Sequence, residues 1–401
     1  MAELAWRKQR LEEVLAQPDI AARVRAGFAS GPLCDPCLGR LVAEVGSGMT
    51  NDERGRIVRS VLGAAPPEEP CGLCGGLFDR IEEWIARAAA ALEGWQFDTL
   101  AVISHADPVL LTREEALWRL TGADLAEPYK QAFNRLLGTR LCQRLGCEAD
   151  LRNPDVVVQA DHRAGEVTVR IEPLWASGRY RKLVRGIPQC RWRPYPTSVQ
   201  QIVGNPVLRA AGGEDHLFHG CGREDVDVRC LAERPFVLEV TRPRRRLLDW
   251  DALAAEINRS GQVEVVGLER CRREAVARVK ALRPEKTYRA LVQLGGNVDD
   301  SHLARLATLV GPIRQQTPTR VLKSRSDLVR TRRVVALEWR RAAGNTVELT
   351  VRAQAGTYIK ELASGDAGRT RPSVAEVLGT TAACIELDVI GIHTEPAAAT
   401  G

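Results

Sequence analysis

The sequence predicts an α+β protein of two or three domains. Its 401 residues exceed what one ordinary core organises. Helix-like and strand-like periodicities mix across residues 80–175. Past a proline-rich basic stretch, PQCRWRPYPTS (Pro188 to Ser198), short strand-like segments dominate, with helices between them. That stretch sets the expected boundary, giving an accessory domain over 1–190 and a second domain over 191–401.

Hydrophobic residues at 44% and charged ones at 27% are ordinary for a folded chain. The N-terminal MAELAWRKQRLEEVL is charged and helix-like, and no run reaches the roughly 18 apolar residues of a membrane span. The expectation is a cytoplasmic protein without a membrane partner. Net charge is only +6, yet arginine clusters in GRYRKLVRG (Gly178 to Gly186), RWR (Arg191 to Arg193), RPRRR (Arg242 to Arg246) and RTRR (Arg330 to Arg333). One such cluster reads as a solvated face. Four together favour a polyanion, because each neutralised phosphate releases condensed counterions.

In chain order, Cys34-Asp-Pro-Cys37 and Cys71-Gly-Leu-Cys74 come first, two CxxC pairs with 33 residues between them. Each hairpin presents two thiolates, and two hairpins complete a closed tetrahedral zinc site; this is favoured over unrelated thiol pairs or a redox dithiol. The intervening NDERGRIVRSVLGAA reads as a helix. The other seven cysteines read mostly as buried thiols. Ile81, Trp84, Ile85, Ala88 and Leu92 repeat at helical spacing, FDTLAVIS (Phe97 to Ser104) reads as a strand, and Thr112 with Glu115 has capping-box spacing. A helix over about Lys130 to Leu145 follows, then a hairpin of DVVVQ (Asp155 to Gln159) and EVTVRIE (Glu166 to Glu172). Beyond the boundary, strands are expected at 234–240, 262–268, 287–294, 333–340 and 346–354, a helix at 301–310, and a frayed tail at EPAAATG.

GCGREDVDVRC (Gly220 to Cys230) sets acids among arginines. Read as a strand, it puts Arg223, Asp225, Asp227 and Arg229 on one face. That face could be a self-neutralising surface, a divalent-metal clamp through Asp225-Val-Asp227, or the seat of an aspartate nucleophile. The pattern by itself leaves all three open. Two further segments, KTYRALVQLGG (Lys286 to Gly296) and GTYIKEL (Gly356 to Leu362), each set one of only five tyrosines beside a basic residue.

Together these segments resemble the three core motifs of pseudouridine synthases. GREDVDVR resembles the catalytic-aspartate motif, with Asp225 at the nucleophile position; the tyrosine segments resemble the second and third motifs of enzymes acting on the tRNA TΨC arm. With GRYRKLVRGIPQCRW, PTSVQQIVG, GDAGRTRPSVAEVLG and the CxxC pairs, nearly the whole chain is similar to the archaeal tRNA pseudouridine synthases of the Pus-ten family. Two positions depart from the pattern: LAERPF (Leu231 to Phe236) lacks a usual glycine, and Ala367 replaces a larger apolar residue.

The resemblance implies a zinc knuckle with a THUMP-type RNA-binding module at about 80–185, then a catalytic domain on a central mixed, mainly antiparallel sheet flanked by helices. It implies conversion of uridine-54 and uridine-55 of tRNA to pseudouridine, by an essential Asp225 and without a catalytic or small-molecule cofactor. Tyr288 would stack on the flipped uracil and is a candidate for removing its C5 proton. Arg223 would brace the space that the base vacates, Tyr358 would shape the pocket, Lys360 would pair with the aspartate, and Leu378 would form pocket wall. Arg179, Arg181, Lys182 and Arg185 would meet phosphate from the accessory domain. A monomer is expected. The rival readings are a metal-dependent DxD transferase and a non-catalytic tRNA-binding protein.

Overall fold

The helices at the start of the chain form where sequence punctuation says they should. The computed structural model describes residues 2–45 and 48–394, so the expected frayed tail lies outside the described residues. The chain divides into two compact units, 1–172 and 173–401.

The first unit begins with α1 (Ala2–Leu15), α2 (Pro18–Ala29), α3 (Asp35–Gly39) and α4 (Asn51–Leu62). α4 is the helix expected between the cysteine pairs. Its start is a capping box: Thr50 Oγ1 accepts from Glu53 N at 3.2 Å while Glu53 Oε2 accepts from Thr50 N at 2.7 Å. α3 and α4 touch backbone to backbone, since a Cβ on Gly39 would stand 1.8 Å from Asn51 O and one on Gly55 1.9 Å from Asp35 O. There follow α5 (Ile81–Ala91), β1 (Thr99–His105), α6 (Pro108–Thr121), α7 (Tyr129–Leu145), β2 (Glu148–Ala149), β3 (Val156–Asp161) and β4 (Glu166–Ile171). The sheet order is β2-β1-β3-β4, with β1 parallel to both neighbours and β3–β4 the expected hairpin. Trp84 of α5 meets Phe133 of α7 edge to face at 5.5 Å within the core. The cap of α6 lies five residues before Thr112, at Asp107, whose Oδ1 accepts from Val109 N, and Thr112 instead bonds back to Pro108 O.

The second unit runs β5 (Leu174–Lys182), α8 (Val199–Ala211), β6 (Asp215–Gly220), β7 (Arg229–Thr241), α9 (Trp250–Asn258), β8 (Val263–Cys271), α10 (Glu274–Ala281) and β9 (Glu285–Leu294). It continues with α11 (Asp300–Ala304), β10 (Gly311–Gln316), β11 (Val329–Arg341), β12 (Thr346–Ala353), α12 (Ile359–Ser364), β13 (Thr370–Arg371), α13 (Val374–Leu378) and β14 (Ala382–His393). One ten-stranded sheet takes the order β13-β10-β11-β12-β9-β14-β7-β5-β8, with β6 also on β7. Its pairings are antiparallel except β14–β7, which makes it mixed and mainly antiparallel as expected.

The division at Glu172–Pro173 lies well ahead of the expected 190/191 boundary. β5 explains the difference: it hydrogen-bonds along β7 and β8, so GRYRKLVRG is an interior strand and loop of the second unit. LAERPF needs no turn, because it continues β7. Among the described residues, no helix is long and apolar enough to cross a membrane.

Candidate active site

The strand expected across Gly220–Cys230 is a loop. β6 ends at Gly220 and β7 starts at Arg229; between them Val228 N returns to Asp225 O at 3.1 Å. Gly222 has φ +70°, which breaks strand geometry, and a Cβ there would press on Lys286 Nζ at 3.1 Å. Arg223, Asp225, Asp227 and Arg229 therefore do not share a face.

Buried polar groups hold this loop from beneath. The Glu224 side chain is fully enclosed, 3.1 Å from Arg234 Nε, and accepts from the Tyr180 hydroxyl at 3.0 and 3.2 Å. Burial works against charge on Arg234, but Glu224 together with the neighbouring Cys230 and Tyr180 outweighs it and holds the guanidinium protonated. Arg234 donates to Cys221 O at 2.8 Å, and Gln189 donates to Gly222 O at 2.9 Å. Lys182, 0% exposed, gives its amine to Ile187 O, Asp225 O and Val226 O at 2.8, 3.1 and 3.1 Å. It is thus a loop anchor with no reach to phosphate, contrary to the sequence expectation.

The loop delivers Asp225 to a cavity of about 620 Å³. Of the residues singled out in the sequence, Arg223, Asp225, Tyr288, Tyr358 and Lys360 line it. Asp225 Oδ2 lies 2.9 Å from Arg320 and 3.4 Å from Lys360 Nζ. Lys360 sits closer to Asp227, at 2.7 and 2.8 Å from its two oxygens. Burial raises the Asp227 carboxyl, but the Lys360 bond and charge prevail and hold it below the usual carboxylate range. With lysine and arginine on these carboxylates, a divalent ion could enter the DxD pair only by displacing cations already there.

Tyr288 stands on β9 at 9% exposure, and burial pushes its phenol up to about 12. Lys286 lies two residues earlier on the same face, pushed down to about 8 by burial and the nearby Arg234 charge. Tyr358 caps α12; both its backbone groups bond the Gln315 side chain at 2.9 Å, and its hydroxyl accepts from Arg325 at 3.1 Å.

Other expected residues sit elsewhere. Leu378 of α13 is core, 7% exposed, because its helix turns that face inward; it does not line the cavity. Arg179 and Arg181 lie on β5 and pair with Glu233 of the neighbouring β7, and Arg181 also bonds Glu264 at 3.0 Å. Arg185 donates to Asp227 O at 2.9 Å and to Asp388 Oδ1 at 2.7 Å, which makes it part of the loop's support. Arg320 and Arg325 line the cavity too, outside every segment the sequence marks, while Arg332 comes from the RTRR cluster and Lys286 from the first tyrosine segment. The signal that points to Arg320 and Arg325 is the density of arginine after Pro318, which begins ten residues before RTRR.

In the first unit, the sulfurs of Cys34, Cys37, Cys71 and Cys74 are buried and all lie within 4.8 Å of one another, Cys34 and Cys74 at 3.7 Å. A tetrahedral zinc–thiolate site has sulfur–sulfur edges of about 3.8 Å, so the donor set fits a structural metal with no open position. Arg59 fixes the first hairpin, donating to Asp35 at 2.7 Å and to Leu33 O at 2.8 Å. Of the other seven cysteines only Cys221 and Cys230 are buried; Cys142, Cys147, Cys271 and Cys384 are half-buried and Cys190 is exposed, which corrects the expectation of mostly buried thiols.

Two family models match: "Pus10, C-terminal" over residues 175–393 and "Pus10 THUMP domain, archaeal" over residues 84–161. Curated tRNA pseudouridine synthases Pus10 match along almost the full chain. That of Methanothrix thermoacetophila is 40% identical, covering 91% of this chain and 93% of the relative. Those of Pyrococcus furiosus and Methanothermobacter marburgensis are 38% and 41% identical, covering 93% and 94% of this chain and 98% and 100% of the relatives. The chain belongs to the Pus10 family of tRNA pseudouridine synthases.

Proposed function

We propose that this chain isomerises uridine-54 and uridine-55 in the TΨC arm of tRNA to pseudouridine, with Asp225 as the essential carboxylate. The observation that carries the reading is the convergence of Asp225, Tyr288 and Lys360, from three distant segments, on one cavity. In the reaction the N1–C1′ bond breaks, uracil turns in place and a C5–C1′ bond forms. C5 releases one proton and the freed N1 takes one up, so the product is an isomer of the substrate and no oxidant or reductant is consumed.

Asp225 acts at the ribose, by attack on C1′ or by removing a ribose proton, with Arg320 and Lys360 compensating charge around it. Tyr288 offers a ring for the flipped uracil to stack on, and its oxygen is the candidate for receiving the C5 proton as the phenol passes its own proton on to the freed N1, against the burial that pushes the phenol up to about 12. Extracting the base costs a few kcal/mol, and Arg223, exposed at the cavity, braces the gap left behind. The 620 Å³ cavity suits a single nucleoside.

The first unit would position the tRNA by shape and backbone. Zinc in the four-cysteine cluster would supply a structural cross-link only. The enzyme would work as a cytosolic monomer without a small-molecule cofactor.

The test is to incubate unmodified tRNA transcript with the protein in EDTA, map pseudouridine by carbodiimide–primer extension, and repeat with Asp225→Asn. Pseudouridine at 54 and 55 from wild type and none from the variant is expected. No product from wild type would overturn the reading. An unmodified Asp227→Asn defect as deep as that of Asp225→Asn, together with EDTA inhibition, would favour the DxD transferase.

A further inference from the structure

We propose that Asp388 is a positioning residue that staples the two halves of the catalytic sheet in the register the active site requires. The inference rests on the reading that Asp225 and Tyr288 react together.

Apart from the short edge strand β13, the strand order contains one weak step. β9 and β14 pair antiparallel along most of their length, and β5 does so with β7 and β8. Between these halves, β14 and β7 share only two parallel residue pairs, Asp388 with Arg229 and Val389 with Cys230. The reacting groups fall on opposite sides of that seam. Tyr288 is on β9 and Lys360 on α12, whereas the loop carrying Asp225 springs from β6 and β7. A slip of the seam would therefore change the Asp225–Tyr288 geometry while leaving each half intact.

Asp388 sits at the seam, its side chain 4% exposed. One oxygen accepts from Arg229 Nε at 2.8 Å and from Arg185 at 2.7 Å; the other accepts from Arg229 at 2.7 Å and Arg289 at 2.9 Å. Arg185 carries the connection onward, donating to Asp227 O at 2.9 Å and Leu387 O at 2.6 Å. The carboxylate thus ties β14 to β7, to β9 and, through one guanidinium, to the backbone of the catalytic loop. Paired charge-assisted bonds of this kind fix direction as well as distance. Leu387 and Val389, on either side of it, line the cavity, so strand β14 places wall and staple together.

The experiment uses the full chain, unmodified tRNA transcript and single-turnover conditions with protein in excess. Asp388→Asn is expected to slow pseudouridine formation about 30- to 100-fold, the scale of a misplacement near 1 Å, with the tRNA Kd within about twofold. Asp388→Glu should recover part of that rate. Arg185→Gln should show the same split, while Arg289→Gln, whose bond leaves the loop untouched, should stay within about threefold of wild type. An Asp388→Asn rate within about threefold of wild type overturns the proposal, as does an Arg289→Gln loss equal to that of Arg185→Gln. Should Asp388→Asn not fold, Arg185→Gln decides by the same threshold. Failure of the underlying reading looks different: Asp225→Asn would then keep the wild-type rate.

Discussion

Arg320 lies 2.9 Å from the Asp225 carboxylate, nearer than Lys360 Nζ at 3.4 Å. A second acceptor, Glu361 at 2.7 Å from Arg320 Nε, orients the guanidinium, so its direction toward Asp225 is set by the protein. Loss of a preorganised charge beside a reacting group costs on the order of 100-fold in rate. Arg320→Gln is accordingly expected to lower the single-turnover rate by about that factor, and a rate within about twofold of wild type would remove Arg320 from the site.

Tyr288 combines a ring and a hydroxyl whose roles separate by substitution. Tyr288→Phe keeps the stacking surface and loses the proton acceptor; Tyr288→Leu loses both. Pseudouridine formation should fall by at least about 100-fold in the first variant with tRNA binding preserved. Binding of tRNA should weaken further only in the second, by about 1–3 kcal/mol for one lost stacking contact. Full activity in Tyr288→Phe would exclude the hydroxyl from proton transfer.

Lys286 links stability to alkaline pH. Its folded value of about 8 lies below the ordinary 10.5, so between those values the unfolded chain binds more protons and stability rises with pH. The burial penalty is fully present below pH 8 and gone above 10.5. Denaturant unfolding of Lys286→Met should lack this rise, the difference from wild type changing by up to about 3 kcal/mol across the window. A pH-independent difference would mean that the amine is not strained by burial.

A metal held by the four-cysteine cluster would be a part of folding in the first unit. Purified protein should hold one tightly bound zinc, and Cys34→Ser or Cys71→Ser should release it and lower the melting temperature of that unit. Unchanged zinc content in both variants would refute the site.

Most elements were readable because their periodicity is local: α5, α7, the β3–β4 hairpin and the long strands β9, β11 and β12 lie close to where apolar spacing puts them. That Asp225, Tyr288 and Lys360 meet at one cavity was legible through motifs. The loop that carries Asp225 was not, because Arg-Glu-Asp-Val-Asp-Val-Arg alternates like a strand, while the positive φ of Gly222 just before it and the turn from Val228 N back to Asp225 O break the strand. Lys182 and Glu224 look like surface charges until the fold closes over them. Arg320 reaches Asp225 from a turn near Pro318, across a distance in sequence that no spacing rule spans.

Gly39 and Gly55 have no chemistry of their own, yet they govern whether the thiols stay protected. With Asn51 O and Asp35 O below 2 Å from where a methyl would sit, an alanine at either position must wedge α3 off α4. Cys37 rides on α3, so the wedge would pull one corner from the tetrahedron and leave vicinal thiols open to oxidation into disulfides. Redox durability of the knuckle thus depends on two side chains that are missing.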